Sequence, residues 1–171
     1  EKILIINMLL KQLIKKIPAE KKKIRVKGLS INSKDVKKGY IFFAIRGSTQ
    51  NGEKFINEAV KRGAEVIICS RNCKFQNRQV LTIKTKNVRH LLSEISSKFY
   101  KKKPKNIIAV TGTNGKTSVA DLFYQILSLN KIPVASIGTL GLKFKSKLIK
   151  TEMTSPDTIL LHQLLEKIKK N

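Results

Sequence analysis

The feature that most restricts the fold of this chain is an apolar run that ends in a glycine-containing turn and continues as a helix. Residues 106–110 (Asn-Ile-Ile-Ala-Val) have the length and apolar character of a buried strand. Gly112 and Gly115 follow, and residues 116–129 carry apolar positions at helical spacing. Another strand-like run covers residues 133–137. The pattern therefore predicts a β-α-β unit with parallel strands.

The same turn predicts a binding site for a nucleotide. Gly112 and Gly115 permit backbone angles that point amide groups inward, and the positive end of the following helix completes a site for phosphate. Lys116 would reach the β- and γ-phosphates of ATP as the catalytic residue, and the hydroxyl of Thr117 would hold Mg²⁺ as the metal ligand. The predicted ATP-binding residues all lie in or next to this turn: Gly112, Thr113, Asn114, Gly115, Lys116, Thr117 and Ser118.

This motif is shorter than the usual phosphate-binding pattern. That pattern places a glycine six positions before the lysine, where this chain has Val110. The prediction therefore depends on Gly-Thr-Asn-Gly-Lys-Thr between a strand and a helix. The alternative is an ordinary helix start.

The rest of the chain alternates between strand and helix patterns, which predicts an α/β fold. Residues 2–16 have the spacing of an amphipathic helix, and Ser155-Pro156-Asp157 resembles a helix start with proline at the first helical position. Lys101-Lys102-Lys103-Pro104 breaks a helix and divides the chain into residues 1–103 and an incomplete unit of residues 104–171. Further strands are predicted at 24–26, 29–32, 40–45, 66–69 and 80–83, helices at 53–62 and 87–100, and a hairpin around Phe144 and Leu148.

The net charge of +25 raises the question of a nucleic-acid partner. Only six of the 36 basic residues are arginine, and the lysines are scattered through every segment rather than gathered in one patch. Solvated surface charge is therefore the favoured interpretation, with no specific nucleic acid as partner. A basic nucleic-acid-binding module remains the alternative.

Other residue types suggest a cytoplasmic protein without metal clusters or disulfides. Cys69 and Cys73 have no second cysteine pair or nearby histidine, which favours free thiols in a reducing compartment. His90 and His162 stand on predicted helices without catalytic partners and are interpreted as packing or surface residues. No apolar run has the roughly 18 residues that a membrane span needs, and no signal cleavage site is present.

Motifs along the chain resemble those of the Mur ligase family. The loop at residues 110–118 resembles the ATP-binding loop of these enzymes, and residues 29–44 resemble the entry motif of the muramyl-peptide ligases, with Asn32 and Lys34 in place of the usual Asp and Arg. Residues 137–141 (Ile-Gly-Thr-Leu-Gly) and 154–157 (Thr-Ser-Pro-Asp) are similar to the members that add the third amino acid.

This resemblance implies a function for each part of the chain. Residues 1–103 would form a domain that binds a UDP-muramyl-peptide, and residues 104–171 would begin the central, parallel-sheet ATPase domain. ATP and Mg²⁺ would activate the terminal carboxylate of the substrate as an acyl phosphate, which the amino-acid substrate then attacks. The fragment alone is expected to be inactive. The implied substrate-binding residues lie in three segments: Ile31 and Ser33, Ser48, Thr49 and Gln50, and Thr154 and Ser155.

Several alternatives remain open at this point. The family includes ligases that add the terminal dipeptide and folylpolyglutamate synthetases, and a P-loop kinase or GTPase would also explain Lys116 and Thr117. Ser155 could equally serve as a helix cap. The sequence does not select diaminopimelate or lysine as the added residue, nor an oligomeric state.

Overall fold

The computed structural model describes residues 7–47, 50–145, 147–149 and 156–170. The chain divides into two compact units, Glu1–Lys101 and Lys102–Asn171. Both contain strands and helices, so the mixed α/β class predicted from the sequence is confirmed.

The first unit contains a four-stranded parallel sheet and a short two-stranded antiparallel sheet. Its described elements, in chain order, are β1 (Met8–Leu9), α1 (Leu10–Leu13), β2 (Arg25–Val26), β3 (Gly28–Ser30), β4 (Tyr40–Phe43), α2 (Ile56–Lys61), β5 (Ala64–Ser70), β6 (Leu81–Thr85) and α3 (Val88–Phe99).

The parallel sheet has the strand order β3-β4-β5-β6. Its central strands β4 and β5 are nearly continuous apolar runs, as expected of strands that are covered on both faces. Phe43 of β4 and Val66, Ile67 and Ile68 of β5 are fully buried. These strands form the core of the first unit, and the turn after β3 lies at the carboxyl edge of the sheet.

The start of α3 and the end of α2 are each determined by one residue. The Oδ1 atom of Asn87 accepts a hydrogen bond of 2.9 Å from the His90 amide and caps α3. Gly63 follows α2 with φ of +101°, and a Cβ there would lie 2.9 Å from Cα of Lys38. Glycine at this position therefore both ends α2 and permits close approach to the strand connection.

The predicted helix over residues 2–16 is wrong within the described part of that range. Met8 and Leu9 form an antiparallel pair with Val26 and Arg25, and the Leu10 amide donates to the Ile24 carbonyl at 2.8 Å. Within residues 7–16, helical structure is limited to the four residues of α1. Strand pairing at this point has overridden the helical spacing, which is a weak determinant over so short a segment.

The second unit contains one three-stranded antiparallel sheet and two long helices among its described residues. In chain order, these elements are α4 (Lys116–Leu129), β7 (Ala135–Gly138), β8 (Gly141–Phe144), β9 (Lys147–Ile149) and α5 (Thr158–Lys170). The predicted helix over residues 116–129 and the hairpin around Phe144 and Leu148 are confirmed.

The predicted buried strand at residues 106–110, and with it the parallel β-α-β unit, is wrong. Ile107 and Ile108 are 58% and 67% exposed, and residues 106–110 form no strand. The strand after α4 is β7, and it pairs antiparallel with β8. Apolar residues alone do not make a strand, because its backbone groups need a neighbouring strand, and the described strands of this unit pair only with one another.

The predicted start of the last helix needs a correction of position. The Oδ1 atom of Asp157 accepts a hydrogen bond of 2.9 Å from the Leu160 amide, and its carbonyl accepts from the Leu161 amide at 2.8 Å. Asp157 is therefore the N-cap of α5, and Pro156 lies before the helix rather than at its first position. Asp157 makes the capping contact that sequence reasoning considered for Ser155, which lies outside the described residues.

Candidate functional site: an uncapped helix start beside a polar cavity

The turn before α4 has the backbone that its two glycines were expected to provide. Gly112 and Gly115 have φ angles of +145° and +77°, which residues other than glycine rarely adopt. A Cβ on Gly115 would meet no atom within 4 Å, so the space beside it is open. Glycine is required here by the backbone conformation, and the turn presents its backbone to an open space.

The first amide groups of α4 lack the side-chain cap that the other long helices have. Gly115 is the N-cap residue and accepts no hydrogen bond through a side chain, whereas Asn87 caps α3 and Asp157 caps α5. A helix start has amide donors without intrahelical partners and carries a positive partial charge. This arrangement suits an anion.

Lys116 is the first residue of α4, directly after the turn, and is exposed. Its Nζ donates to the carbonyl oxygen of Gly112 and, at 3.1 Å, to that of Thr113. The ammonium group therefore lies over the turn and not in the protein interior. A bound phosphate could compete for the same ammonium group, since a charged donor prefers an anionic oxygen to a carbonyl.

Thr117 follows Lys116 and faces the hairpin of β7 and β8. Its Oγ1 lies 3.1 Å from Oγ1 of Thr139. Thr139 belongs to the Ile-Gly-Thr-Leu-Gly segment, which sequence reasoning used to choose between family members without assigning it a site role. The structure thus brings a motif residue to the hydroxyl that was predicted to hold Mg²⁺.

A cavity of about 230 Å³ lies between the first turns of α4 and the β7–β8 hairpin. Five side chains supply most of the charged and hydrogen-bonding groups in its lining: Lys116, Thr117, Asp121, Thr139 and Lys143. The cavity therefore joins the uncapped helix start to a second, polar wall supplied by the hairpin.

Asp121 and Lys143 form an ion pair in the cavity wall. The hydrogen bond from Lys143, and then that from Gln125, holds the pKa of Asp121 below its ordinary value. Sequence reasoning found no role for Asp121, although its position one helical turn after Thr117 places it on the same helix face. Lys143 had no distinguishing signal among the 36 basic residues.

Comparison with known families assigns both parts of the chain. Residues 25–100 match the family described as "Mur ligase family, catalytic domain", and residues 110–171 match the one described as "Mur ligase middle domain". The chain belongs to the Mur ligase family. The two matched ranges follow each other in the order in which the sequence motifs occur.

Three curated relatives of this Mur ligase chain carry the same name. The UDP-N-acetylmuramoyl-L-alanyl-D-glutamate–2,6-diaminopimelate ligase of Brucella melitensis is 34% identical over 151 residues, which cover 88% of this chain and 31% of that protein. The ligase of the same name from Rickettsia prowazekii is 45% identical over 70% of this chain and 24% of its own length. That of Aquifex aeolicus is 38% identical over 83% of this chain and 29% of its own length.

Solved structures show the same fold. A structure of UDP-N-acetylmuramoyl-L-alanyl-D-glutamate–2,6-diaminopimelate ligase matches with a TM-score of 0.80 and 27% identity, covering 96% of this chain and 34% of that one. The terminal-dipeptide ligase UDP-N-acetylmuramoylalanyl-D-glutamyl-2,6-diaminopimelate–D-alanyl-D-alanyl ligase of Acinetobacter baumannii matches with a TM-score of 0.52 at 20% identity, covering 75% of this chain and 30% of that one, and shows the fold alone. The chain spans about a third or less of the length of the relatives and structures that it matches.

The predicted substrate residues of this Mur ligase chain lie partly outside the described residues. Ser48, Thr49, Thr154 and Ser155 are among those that the structure does not describe.

The remaining substrate residues lie in the first unit. Ile31 is half-buried and directly follows β3, and Ser33, at the start of the next turn, is 4% exposed. Gln50 is exposed, and its carbonyl accepts from the Gly47 amide at 2.8 Å, which closes the loop that contains it.

The Ser33 hydroxyl already has a partner. Its Oγ donates to Oε2 of Glu58 at 2.7 Å. Sequence reasoning did not single out Glu58, because a glutamate on a surface helix gives no signal of a contact to a turn 25 residues away.

Proposed function

We propose that this chain is part of an ATP-dependent ligase of peptidoglycan precursor synthesis. The ligase adds 2,6-diaminopimelate as the third residue to UDP-N-acetylmuramoyl-L-alanyl-D-glutamate. The curated relatives that share 34–45% identity with the chain bear the name of this activity. The observation that carries the proposal is the turn from Gly112 to Ser118, where an uncapped helix start, an exposed lysine and a threonine hydroxyl surround an open space.

The residues of the turn fit a nucleoside triphosphate. Amide groups at the start of α4 would donate to phosphate oxygens, and the ammonium of Lys116 would neutralise charge on the β- and γ-phosphates. ATP supplies the phosphoryl group that turns a carboxylate, a poor electrophile, into an acyl phosphate. The part played by this chain is to orient and neutralise the phosphates, since phosphoryl transfer needs little covalent help from protein.

Magnesium would be held at Thr117. The residues described contain no group of three or more His, Cys, Asp or Glu side chains that could hold a metal ion by themselves. A hydroxyl ligand combined with phosphate oxygens and water is typical of Mg²⁺, which keeps several waters and is rarely bound by an all-protein cage. Thr117 would therefore hold Mg²⁺ together with the nucleotide.

Residues 1–103 bind the UDP-muramyl-peptide through the turn after β3 and the loop that contains Gln50. Residues 104–171 bind ATP and add Thr154 and Ser155 to the muramyl-peptide site. The proposed activity belongs to the cytoplasm, as the resemblance to the family implies. None of the helices among the described residues is long and apolar enough to cross a bilayer.

Thermal unfolding in the presence of ligands tests the proposal. UDP-N-acetylmuramoyl-L-alanyl-D-glutamate and ATP with Mg²⁺ should each raise the Tm of the chain, because a ligand that binds only the folded state stabilises it. Single-stranded DNA at moderate salt is the control for the charge of +25. Stabilisation by DNA without stabilisation by either of the other ligands would refute the ligase assignment.

A further inference from the structure

The turn Ser33–Asp35 after β3 is held in place by two residues that have no role so far: Glu58 of helix α2 and Arg62, the residue that follows α2. The Oγ of Ser33 donates to Oε2 of Glu58 at 2.7 Å. Arg62 donates through Nε to Oε1 of the same carboxylate at 3.2 Å and through Nη1 to the carbonyl oxygen of Lys34 at 3.2 Å. Each oxygen of Glu58 therefore has a different partner, and Arg62 connects the carboxylate back to the turn.

The contacts of Glu58 and Arg62 have a different effect from the hydrogen bonds within the turn. The Oδ1 of Asn32 accepts from the Lys34 amide at 3.1 Å, and Nδ2 of Asn32 donates to Oδ2 of Asp35 at 3.0 Å. Those local bonds fix the shape of the turn. Glu58 and Arg62 are 25 and 28 residues away from their partners in sequence and instead fix where the turn lies relative to α2.

Helix α2 provides a rigid base for these two residues. Ile56 is 1% exposed and Ala59 is fully buried, and both pack in the core cluster with Phe42 and Ile67 of the central strands. Glu58 and Arg62 lie on the opposite, solvent-facing side of the helix, where their side chains are 37% and 46% exposed. The position of the turn is thus tied through two side chains to the packed core.

The contact also decides which way the Ser33 hydroxyl is oriented. A serine hydroxyl has one hydrogen, and an ionised carboxylate can only accept. Glu58 stays ionised at neutral pH, because the hydrogen bond from Ser33 and the neighbouring Arg62 hold its pKa below the ordinary value. The hydrogen of Ser33 is therefore committed to Glu58, and the oxygen is left with acceptor capacity only.

We infer that Glu58 and Arg62 are positioning residues of the UDP-muramyl-peptide site: they hold the Ser33 turn in its binding position and set the Ser33 oxygen as an acceptor for an N–H or O–H group of the substrate. The inference rests on the proposed function, which places Ser33 in that site. Neither residue needs to contact the substrate, since both act through the turn.

Binding of UDP-N-acetylmuramoyl-L-alanyl-D-glutamate to the whole 171-residue chain, measured by calorimetry, tests this inference. E58A should weaken binding about tenfold, the effect expected when a hydrogen bond to a charged group is lost. E58Q keeps an acceptor for Ser33 and should restore most of the affinity. R62A should also weaken binding, whereas K61A, which removes the neighbouring exposed cation of α2, should not.

Measuring both stability and affinity on the same variants distinguishes a role of Glu58 in substrate binding from a role in stability alone. Urea unfolding reports the loss of stability, and the Kd is measured where each variant is fully folded. N87A, which removes the cap of α3 far from the turn in sequence, should lower stability without changing the Kd. If E58A lowers stability but binds with the Kd of the wild type, the inference is wrong.

A double-mutant cycle tests whether Glu58 acts through Ser33. In the S33A background, E58A should cause little further loss of affinity, because the contact that it removes is already gone. Independent, additive losses would contradict the inference. A wild-type chain that does not bind the ligand would contradict the proposed function as well, whereas wild-type binding with unchanged E58A affinity contradicts only the role of Glu58.

Discussion

Cys69 and Cys73 are buried at the end of β5 and in the turn after it, with 0% and 4% exposure. Both are free thiols, as the sequence indicated. Burial, reinforced by the neighbouring Cys73, raises the pKa of Cys69 to about 12. Because the thiolate is the nucleophile, we expect Cys69 to be unreactive in the folded chain, and burial should shield Cys73 from reagents.

Thiol titration with a chromogenic disulfide at pH 8 checks this. Neither cysteine should react at an appreciable rate in the native chain, and both should react at once in denaturing urea. C69S is the matched variant, for which one thiol should appear on unfolding. Rapid labelling of a thiol in the native protein would show that the end of β5 is open to solvent.

His162 on α5 gives a pH dependence of known sign. Burial, and then the charge of Lys103, lowers its pKa below 6.5. The contribution of neutral His162 to stability is therefore complete above pH 6.5. It is lost as the pH falls from there through the folded-state pKa, because the unfolded chain binds the proton more readily.

Hydrogen–deuterium exchange of the α5 amides should accelerate between pH 7.5 and pH 5.5, after correction for the intrinsic rate. H162Q should reduce that acceleration, and an equal acceleration in H162Q would contradict this account.

Residue-scale prediction succeeded where the chemistry is local in sequence. The positive φ angles of Gly112 and Gly115 follow from a strand-like run that turns directly into a helix. Glu58 and Lys143 could not be found in this way. Their contacts with Ser33 and Asp121 bridge separate elements, and one acidic or basic residue among many carries no sign of its partner.

At the scale of elements, the cap of α3 makes a measurable contribution. N87A removes the side chain that accepts from the His90 amide and should lower the free energy of unfolding of the first unit by about 1 kcal/mol. N87D and N87S retain an oxygen at this position and should lose much less. Urea unfolding followed by far-UV circular dichroism measures the difference, and equal stability of all four proteins would show that the cap contributes nothing.

Elements were predictable when an apolar run had a partner nearby. Strands β4 and β5 each begin after or near a glycine and pair within one parallel sheet, so their sequence patterns sufficed. Residues 106–110 have the same apolar character but no strand partner among the described residues, and they remain exposed. Residues 8–9 show the opposite case, where a partner at residues 25–26 converts a helical pattern into a strand. Pairing partners, not propensity, decided both outcomes.

At the scale of the molecule, the two units should separate on limited proteolysis. The boundary lies between Lys101 and Lys102, both of which are exposed, and residues 101–105 form no helix or strand. Low concentrations of trypsin should therefore cut first within residues 101–105, because ordered sheet and helix resist cleavage. Mass spectrometry of the first fragments identifies the site. Early cuts within β3–β6 instead would contradict a compact first unit.

The large positive charge does not require a nucleic-acid function. Lysines occur in both units, and the family to which the chain belongs accounts for its motifs without a nucleic-acid partner. Affinity for nucleic acid, if measured, should fall steeply with salt and show no preference for sequence, as expected of phosphate contacts alone.

Calorimetric titration of the wild type and of K116A with ATP and Mg²⁺ measures whether residues 112–118 bind ATP. We expect saturable binding by the wild type and a Kd at least about tenfold higher in K116A, the size expected for a lost charge-assisted contact. K169A removes an exposed lysine of α5 and should bind as the wild type does. Equal affinity of the wild type and K116A would contradict the assignment of residues 112–118 as the ATP site.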